Sequence, residues 1–257
     1  MAANWRAQVV RGVAALPAPV RQSVWQGRRA LARRRRRELE ARGDFSLSKP
    51  ALHAMDTKLD KYLDLDWGFF VEAGANDGYD QSNTYFLERA RGWRGVLVEP
   101  VPTLFEEARR ERPSSKVFNC ALVAEDHPGE TVTLRYGGLM TTVAGFRESA
   151  DEDAAWVAAA HEVAQEEPEH EFTVVARTLS SVLDEARAPE IDLLSLDVEG
   201  FEPQVLAGLD LDRHAPRFAL IEIRDMATGR APVEAVLGDR YEAVEALTPY
   251  DMLYRRR

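Results

Sequence analysis

Apolar residues follow two rhythms through most of the chain. Short, nearly unbroken apolar runs fall at residues 68–73 (GFFVEA), 94–99 (RGVLVE), 116–119 (KVFN), 191–196 (IDLLSL) and 217–223 (RFALIEI). Runs of this length without polar alternation predict strands buried on both faces. Between them, residues 82–91, 102–112, 178–186 and 203–209 place apolar side chains at helical spacing, and Pro102 suits a first helical turn. Residues 49–63 predict a helix leading into this region, and residues from 233 onward predict a helix with two strands, near 241–246 and 252–255. Strands alternating with helices predict an α/β fold: a mostly parallel sheet with helices on both faces. Residues 130–136 (ETVTLRY) alternate instead, as an edge or antiparallel strand does, and 172–176 reads as a further strand. No internal repeat is visible.

The ends of this pattern set the organisation. Residues 1–45 form a basic arm, helical or disordered, and residues 46–257 form the domain. Within the arm, Trp5, Val9, Val10, Val13 and Leu16 give a loosely amphipathic segment, broken by Pro17 and Pro19. Residues 20–42 then predict a basic helix holding the run Arg33 to Arg37, ended by Gly43. An insertion of about 137–170 opens with GGLMTT, turns acidic and Ala-rich, and predicts a helix at 151–165.

Charge sharpens this division. The arm carries 11 Arg against Glu38, Glu40 and Asp44, a balance of +8, so the net charge of −10 leaves −18 on the remainder. An acidic body argues against a specific nucleic-acid partner. The arm reads either as a solvated basic segment or as one drawn to an anionic membrane or a phosphorylated carrier. No apolar run reaches the roughly 18 residues that span a bilayer, and charges and prolines interrupt any leader-like segment. The chain therefore reads as cytoplasmic, with peripheral membrane contact through residues 1–45 as the arm's sharper reading. Cys120 is the one cysteine, which excludes an internal disulfide framework and a cysteine-rich zinc site. His53, His127, His161, His170 and His214 are scattered without metal-ligand spacing and read as surface residues.

Candidate chemistry sits where each predicted strand ends, because open parallel sheets bind ligands at their carboxyl edge. The first strand runs into Glu72, Gly74, Asn76, Asp77 and Gly78. This is G-x-x-x-G between carboxylates, not the G-x-G-x-x-G that seats a pyrophosphate. A pyrophosphate placed between Glu72 and Asp77 would be repelled. The cationic sulfonium and amino groups of S-adenosylmethionine suit that surrounding better. Glu99 ends the second strand, where a carboxylate can accept from both ribose hydroxyls of an adenosine. Asn119, Cys120 and Ala121 follow the third, at a place where an adenine edge could be read. Asp197 ends the fourth within SLDVEGFE, and Glu222 lies in the fifth, where a salt bridge to Arg224 is the plainer reading. A carboxylate at the end of an apolar strand is costly unless it is paired or bound to something.

Together, VEAGANDGYDQSNTYFLE, VLVEP, IDLLSLDVEGFEPQVLAGL and ALIEI, in this order over roughly residues 68–225, resemble the FkbM family of S-adenosylmethionine-dependent methyltransferases. The resemblance implies a Rossmann-like class I methyltransferase fold, with a seven-stranded sheet and one reversed strand near the C-terminus. It also implies methyl transfer to oxygen on a sugar, glycan or related small-molecule acceptor. By position, Glu72, Gly74, Asn76 and Gly78 would hold the methionine part, with Ser82, Asn83 and Thr84 nearby; Glu99 would hold ribose, and Asn119 with Ala121 would border adenine. Asp197 would stand beside the transferred methyl as base or anchor. A divalent metal shared by Asp197 and Glu222 ranks below this, as two carboxylates outside any recognised ligand motif. The competing readings are a nicotinamide-dependent oxidoreductase and a non-catalytic binding protein built on the same fold.

Overall fold

The apolar runs lie side by side as strands in a computed structural model that describes residues 18–136, 141–143 and 170–257. In chain order the strands are β1 (Phe69–Ala73), β2 (Arg94–Val98), β3 (Lys116–Phe118), β4 (Ala121–Leu122), β5 (Thr131–Tyr136), β6 (Thr142–Val143), β7 (His170–Arg177), β8 (Leu193–Leu196), β9 (Phe218–Glu222), β10 (Tyr241–Ala246) and β11 (Asp251–Arg256). The helices are α1 (Ala18–Glu40), α2 (Met55–Leu59), α3 (Tyr85–Arg91), α4 (Pro102–Glu111), α5 (Leu179–Ala186), α6 (Glu202–Ala207) and α7 (Arg230–Leu237). The chain divides into two units, one ending at Ser48 and one running from Lys49 to Arg257.

In the first unit, α1 ends in a turn at Gly43, whose φ of 76° is the left-handed conformation that favours glycine after a helix. Ser48 Oγ donates to Glu40 at 2.8 Å and closes the segment that follows.

In the second unit, seven strands form one sheet in the order β10-β11-β9-β8-β1-β2-β3. β1, β2, β3, β8 and β9 pair in parallel. β11 is antiparallel to both β9 and β10, so it alone in this sheet runs against the rest. Successive side chains alternate between the sheet's faces. Val71, Val96, Leu194 and Ile221 pack on one face under α5, α6 and α7. Phe70, Leu97, Leu193, Leu220 and Leu253 pack on the other against Met55, Leu59, Leu87 and Trp93. Both faces are covered, which is why these strands read as unbroken apolar runs.

A second sheet, in the order β4-β7-β5-β6, was not expected as a unit. β5 is antiparallel to β6 and β7 and lies between them, so it is an inner strand and not an edge. Its alternation matches its burial: Val132, Leu134 and Tyr136 are buried, while Thr131 and Thr133 are exposed. β6 and the start of β7 fall inside the expected insertion, so its ends are built into this sheet; the helix expected at 151–165 lies outside the described residues, as does the amphipathic segment at 5–16.

The helix expected over 49–63 is a second correction. A 3-10 turn (Leu52–Ala54) precedes α2, and His53 and Ala54 take left-handed φ values of 53° and 56°. That conformation cannot continue a right-handed helix. Met55, Leu59 and, beyond the helix, Leu63 keep helical spacing toward the core, while Asp56 accepts the Ala51 amide at 3.1 Å in place of a helical bond.

Candidate active site

Strand order reverses between β1 and β8: the chain builds outward through β2 and β3 on one side, and through β9 on the other. Loops leaving neighbouring strands diverge at such a point and leave a crevice at the carboxyl edge. There the loops after β1, β2 and β8 line a cleft of about 1100 Å³, including its solvent-open mouth. Its walls include Glu72, Gly74, Asn76, Ser82, Asn83, Glu99, Ala121 and Asp197. Gly78, Thr84 and Asn119 are not among the lining residues.

Each residue has a local reason for its place. Gly74 has φ of 82°, and a Cβ built there would lie 1.8 Å from the carbonyl oxygen of Asp197. Only glycine lets the ends of β1 and β8 approach this closely. Gly78 also has a positive φ, and its Cβ would press on the backbone of Ala108 at 2.9 Å, so this glycine seats the loop on α4. Asn119 donates its amide to the carbonyls of Glu99 and Pro100 at 2.9 and 2.8 Å, and so braces the loop after β2.

Glu72 differs most from its expected surroundings. Its carboxylate accepts from Ser82 Oγ (2.9 Å), the Asn83 amide (2.8 Å) and Thr84 Oγ1 (2.7 Å). Arg112, with a fully buried side chain, faces it at 3.3 Å. Arg112 also donates to Glu88 (2.9 Å), the Gly78 carbonyl (3.2 Å), Ser82 Oγ (3.1 Å) and Thr84 Oγ1 (2.8 Å). Glu72 is therefore neutralised from behind and holds the loop that forms one wall. Asp77 likewise caps its own turn, accepting from the Tyr79 and Asp80 amides at 2.8 and 2.7 Å. The acidic surrounding expected around the β1 turn is thus largely spent within the fold. Arg112 carries no sequence signal of this role, because a helix-end arginine is most often solvated.

The unspent carboxylates are Glu99 and the group around Asp197. Glu99 is buried and accepts the Asn76 and Val101 amides, both at 2.8 Å. Burial nevertheless pushes its carboxyl up to about 8. Asp197, Glu202 and Glu222 bring carboxylate oxygens within 4.8 Å of one another. Asp197 is reachable from the cleft, but the walls around it strip water and push its carboxyl up. Glu222 is likewise pushed up, to about 9, by burial first and then by the neighbouring Asp197 carboxylate. Glu202 is raised by burial while accepting the Val198 and Gly200 amides at 3.0 and 3.1 Å. The expected Glu222–Arg224 contact is present at 3.7 Å, but Arg224 pairs more closely with Glu199.

Residues that sequence reasoning did not single out complete the cleft. Val101 and Leu104 come from the start of α4, Phe201 from the loop after β8, and Leu134 and Val143 from the second sheet. The described histidines do not line it. A buried carboxylate at the end of β2 beside apolar Val101 and Leu104 fits an adenosine, with hydroxyls for Glu99 and a flat apolar face for the side chains. Among the described residues, no helix is long and apolar enough to cross a membrane.

The methyltransferase FkbM domain matches residues 72–243, from the end of β1 into β10. No curated protein sequence matches the chain. Among solved structures, a TehB-like SAM-dependent methyltransferase from Corynebacterium glutamicum is 13% identical, with a TM-score of 0.44, over 93% of this chain and 100% of that one. An O-methyltransferase from Bacillus cereus, in complex with SAH, is 11% identical, with a TM-score of 0.42, over 87% and 88%. An RNA methyltransferase from Salinibacter ruber, in complex with S-adenosyl-L-homocysteine, is 15% identical, with a TM-score of 0.37, over 80% and 92%. The match from the β1 carboxylate through β9 decides the donor in favour of S-adenosylmethionine over a nicotinamide, and the chain belongs to the FkbM family of S-adenosylmethionine-dependent methyltransferases.

Proposed function

We propose that the protein transfers a methyl group to a hydroxyl oxygen of a sugar, a glycan or a related small metabolite. The observation that carries this reading is Asp197, which lines the cleft and has carboxylate oxygens of Glu202 and Glu222 within 4.8 Å. Alcohols hold their protons far more tightly than carboxylic acids, so transfer to oxygen needs a base placed to take the proton as the bond forms. Asp197 is that base. Its carboxylate accepts the hydroxyl proton, and burial raises its affinity for that proton.

S-adenosylmethionine, when bound, supplies a methyl group already activated by its positive sulfur. Glu99 receives the ribose hydroxyls, Val101 and Leu104 pack on the adenine, and Asn76 and Asn83 face the methionine end. Ser82 within the wall and Thr84 behind it act by holding Glu72, and Asn119 acts by holding the Glu99 backbone. The residues' shared task is alignment, which can contribute several kcal/mol to the rate.

Labelled S-adenosylmethionine incubated with the protein and a cell extract, followed by mass analysis, tests the proposal. Label on the oxygen of a carbohydrate or other hydroxylated product supports it; label confined to nitrogen or carbon refutes it. A second reading follows from the same 4.8 Å spacing, which also suits a shared divalent cation. Calorimetric titration with Mg²⁺ or Mn²⁺ separates the two, since only the second requires binding that Asp197→Asn abolishes.

A further inference from the structure

The helix α1 has a use that the transfer reaction does not require. Its 23 residues carry eight Arg, and its acidic residues are confined to Glu38 and Glu40 in the last turn, a balance of +6. At about 100° per residue, Val20, Val24, Gly27 and Leu31 fall within roughly 60° of arc. On that stripe Leu31 is 68% exposed and Val20 47% exposed. Arg28, Arg34 and Arg35 are exposed and flank the stripe on both sides. Arg34 shares its charge with Glu38 at 2.9 Å, an exposed pair whose mutual attraction is weak in water.

We propose that α1 lies on an anionic lipid surface, with Val20 and Leu31 turned toward the acyl chains and the flanking arginines at headgroup level. The charge density matches phosphate and carboxylate headgroups, and the exposed leucine tells a bilayer from a purely ionic partner. RNA or a phosphorylated carrier offers arginine the same attraction but gives Leu31 nothing to enter. Eight arginines also preclude a spanning segment, so the helix rests in the interface plane.

The test uses the full-length protein in sedimentation with vesicles of phosphatidylcholine alone or mixed with phosphatidylserine. Binding is expected only to the mixed vesicles, and it should weaken as salt screens the charges. Each arginine near such a surface contributes about fivefold to partitioning, so Arg28→Gln/Arg34→Gln/Arg35→Gln together should lower it about a hundredfold. The Arg→Lys triple variant should keep it. Leu31→Ser should lower it at least about tenfold, because the buried leucine is lost. Titration with S-adenosylhomocysteine should be unchanged in every variant, which reports on folding apart from lipid. Failure of the parent protein to bind mixed vesicles overturns the proposal. So does undiminished vesicle binding by Leu31→Ser, or tighter binding to a single-stranded RNA probe than to the vesicles.

Discussion

Replacing Arg112 by Met tests whether the cleft wall hangs on one buried cation. The Arg112 side chain is 0% exposed and ion-pairs with Glu88 at 2.9 Å and Glu72 at 3.3 Å, carboxylates whose own side chains are 0% and 5% exposed. Met keeps the stem's packing near the rings of Phe70 and Tyr85, which the guanidinium carbon faces at 5.0 and 5.6 Å. It leaves both carboxylates without that cation. Breaking a buried pair from one side costs about 3–5 kcal/mol, because the stranded charge stays desolvated. For a domain of this size that is a fall in Tm of roughly 6–20 °C, readable by circular dichroism. Glu72 keeps Ser82, Thr84 and the Asn83 amide, so the larger share of the loss is expected from Glu88. Arg112→Met/Glu88→Gln should then be more stable than the sum of its parts by about 0.5–3 kcal/mol. The loop over residues 78–84 loses its anchors to Gly78, Ser82 and Thr84, so S-adenosylhomocysteine should also bind more weakly. A loss under about 1 kcal/mol, or strict additivity with Glu88→Gln, would refute the reasoning and make this network incidental to the wall.

Other outcomes follow from the carboxylates and the turn. Glu99 releases its proton near 4.5 in the unfolded chain and near 8 in the fold, so between those values the folded state binds more protons and stability falls as pH rises. Denaturant titrations at several pH values should show Glu99→Gln removing up to about 1.4 kcal/mol per pH unit from that slope; an unchanged slope contradicts the assignment. Asp197→Asn should reduce kcat by about 10²–10⁴ while S-adenosylhomocysteine affinity stays within about threefold; a change confined to affinity would make Asp197 a donor-binding residue only. Gly74→Ala should cost at least about 2 kcal/mol in chemical denaturation, since its Cβ cannot avoid the Asp197 carbonyl; a neutral result would mean that the ends of β1 and β8 can separate freely.

What the sequence determined by itself is whatever repeats locally. A strand buried on both faces has to be apolar throughout, so β1, β2, β8 and β9 are visible as runs, and their carboxyl ends mark where Glu72, Glu99 and Asp197 emerge. The order of strands, and with it the meeting of those ends, comes from pairing between segments distant in sequence. So does the gathering of short strands such as β4 and β6 into a second sheet, because two residues carry too little periodicity to read. Tertiary structure also separated the carboxylates by role. Glu72 resembled a ligand for a cation until Arg112, forty positions along the chain, arrived at 3.3 Å and neutralised it. Glu99 and Asp197 kept their charge problem, because among the described residues no ion pair answers Glu99, and the carboxylates nearest Asp197 are those of other acids. Local composition can show that a carboxylate stands at the end of a strand; only packing decides whether its charge is already answered, because desolvation and pairing depend on what the rest of the chain brings within a few ångströms.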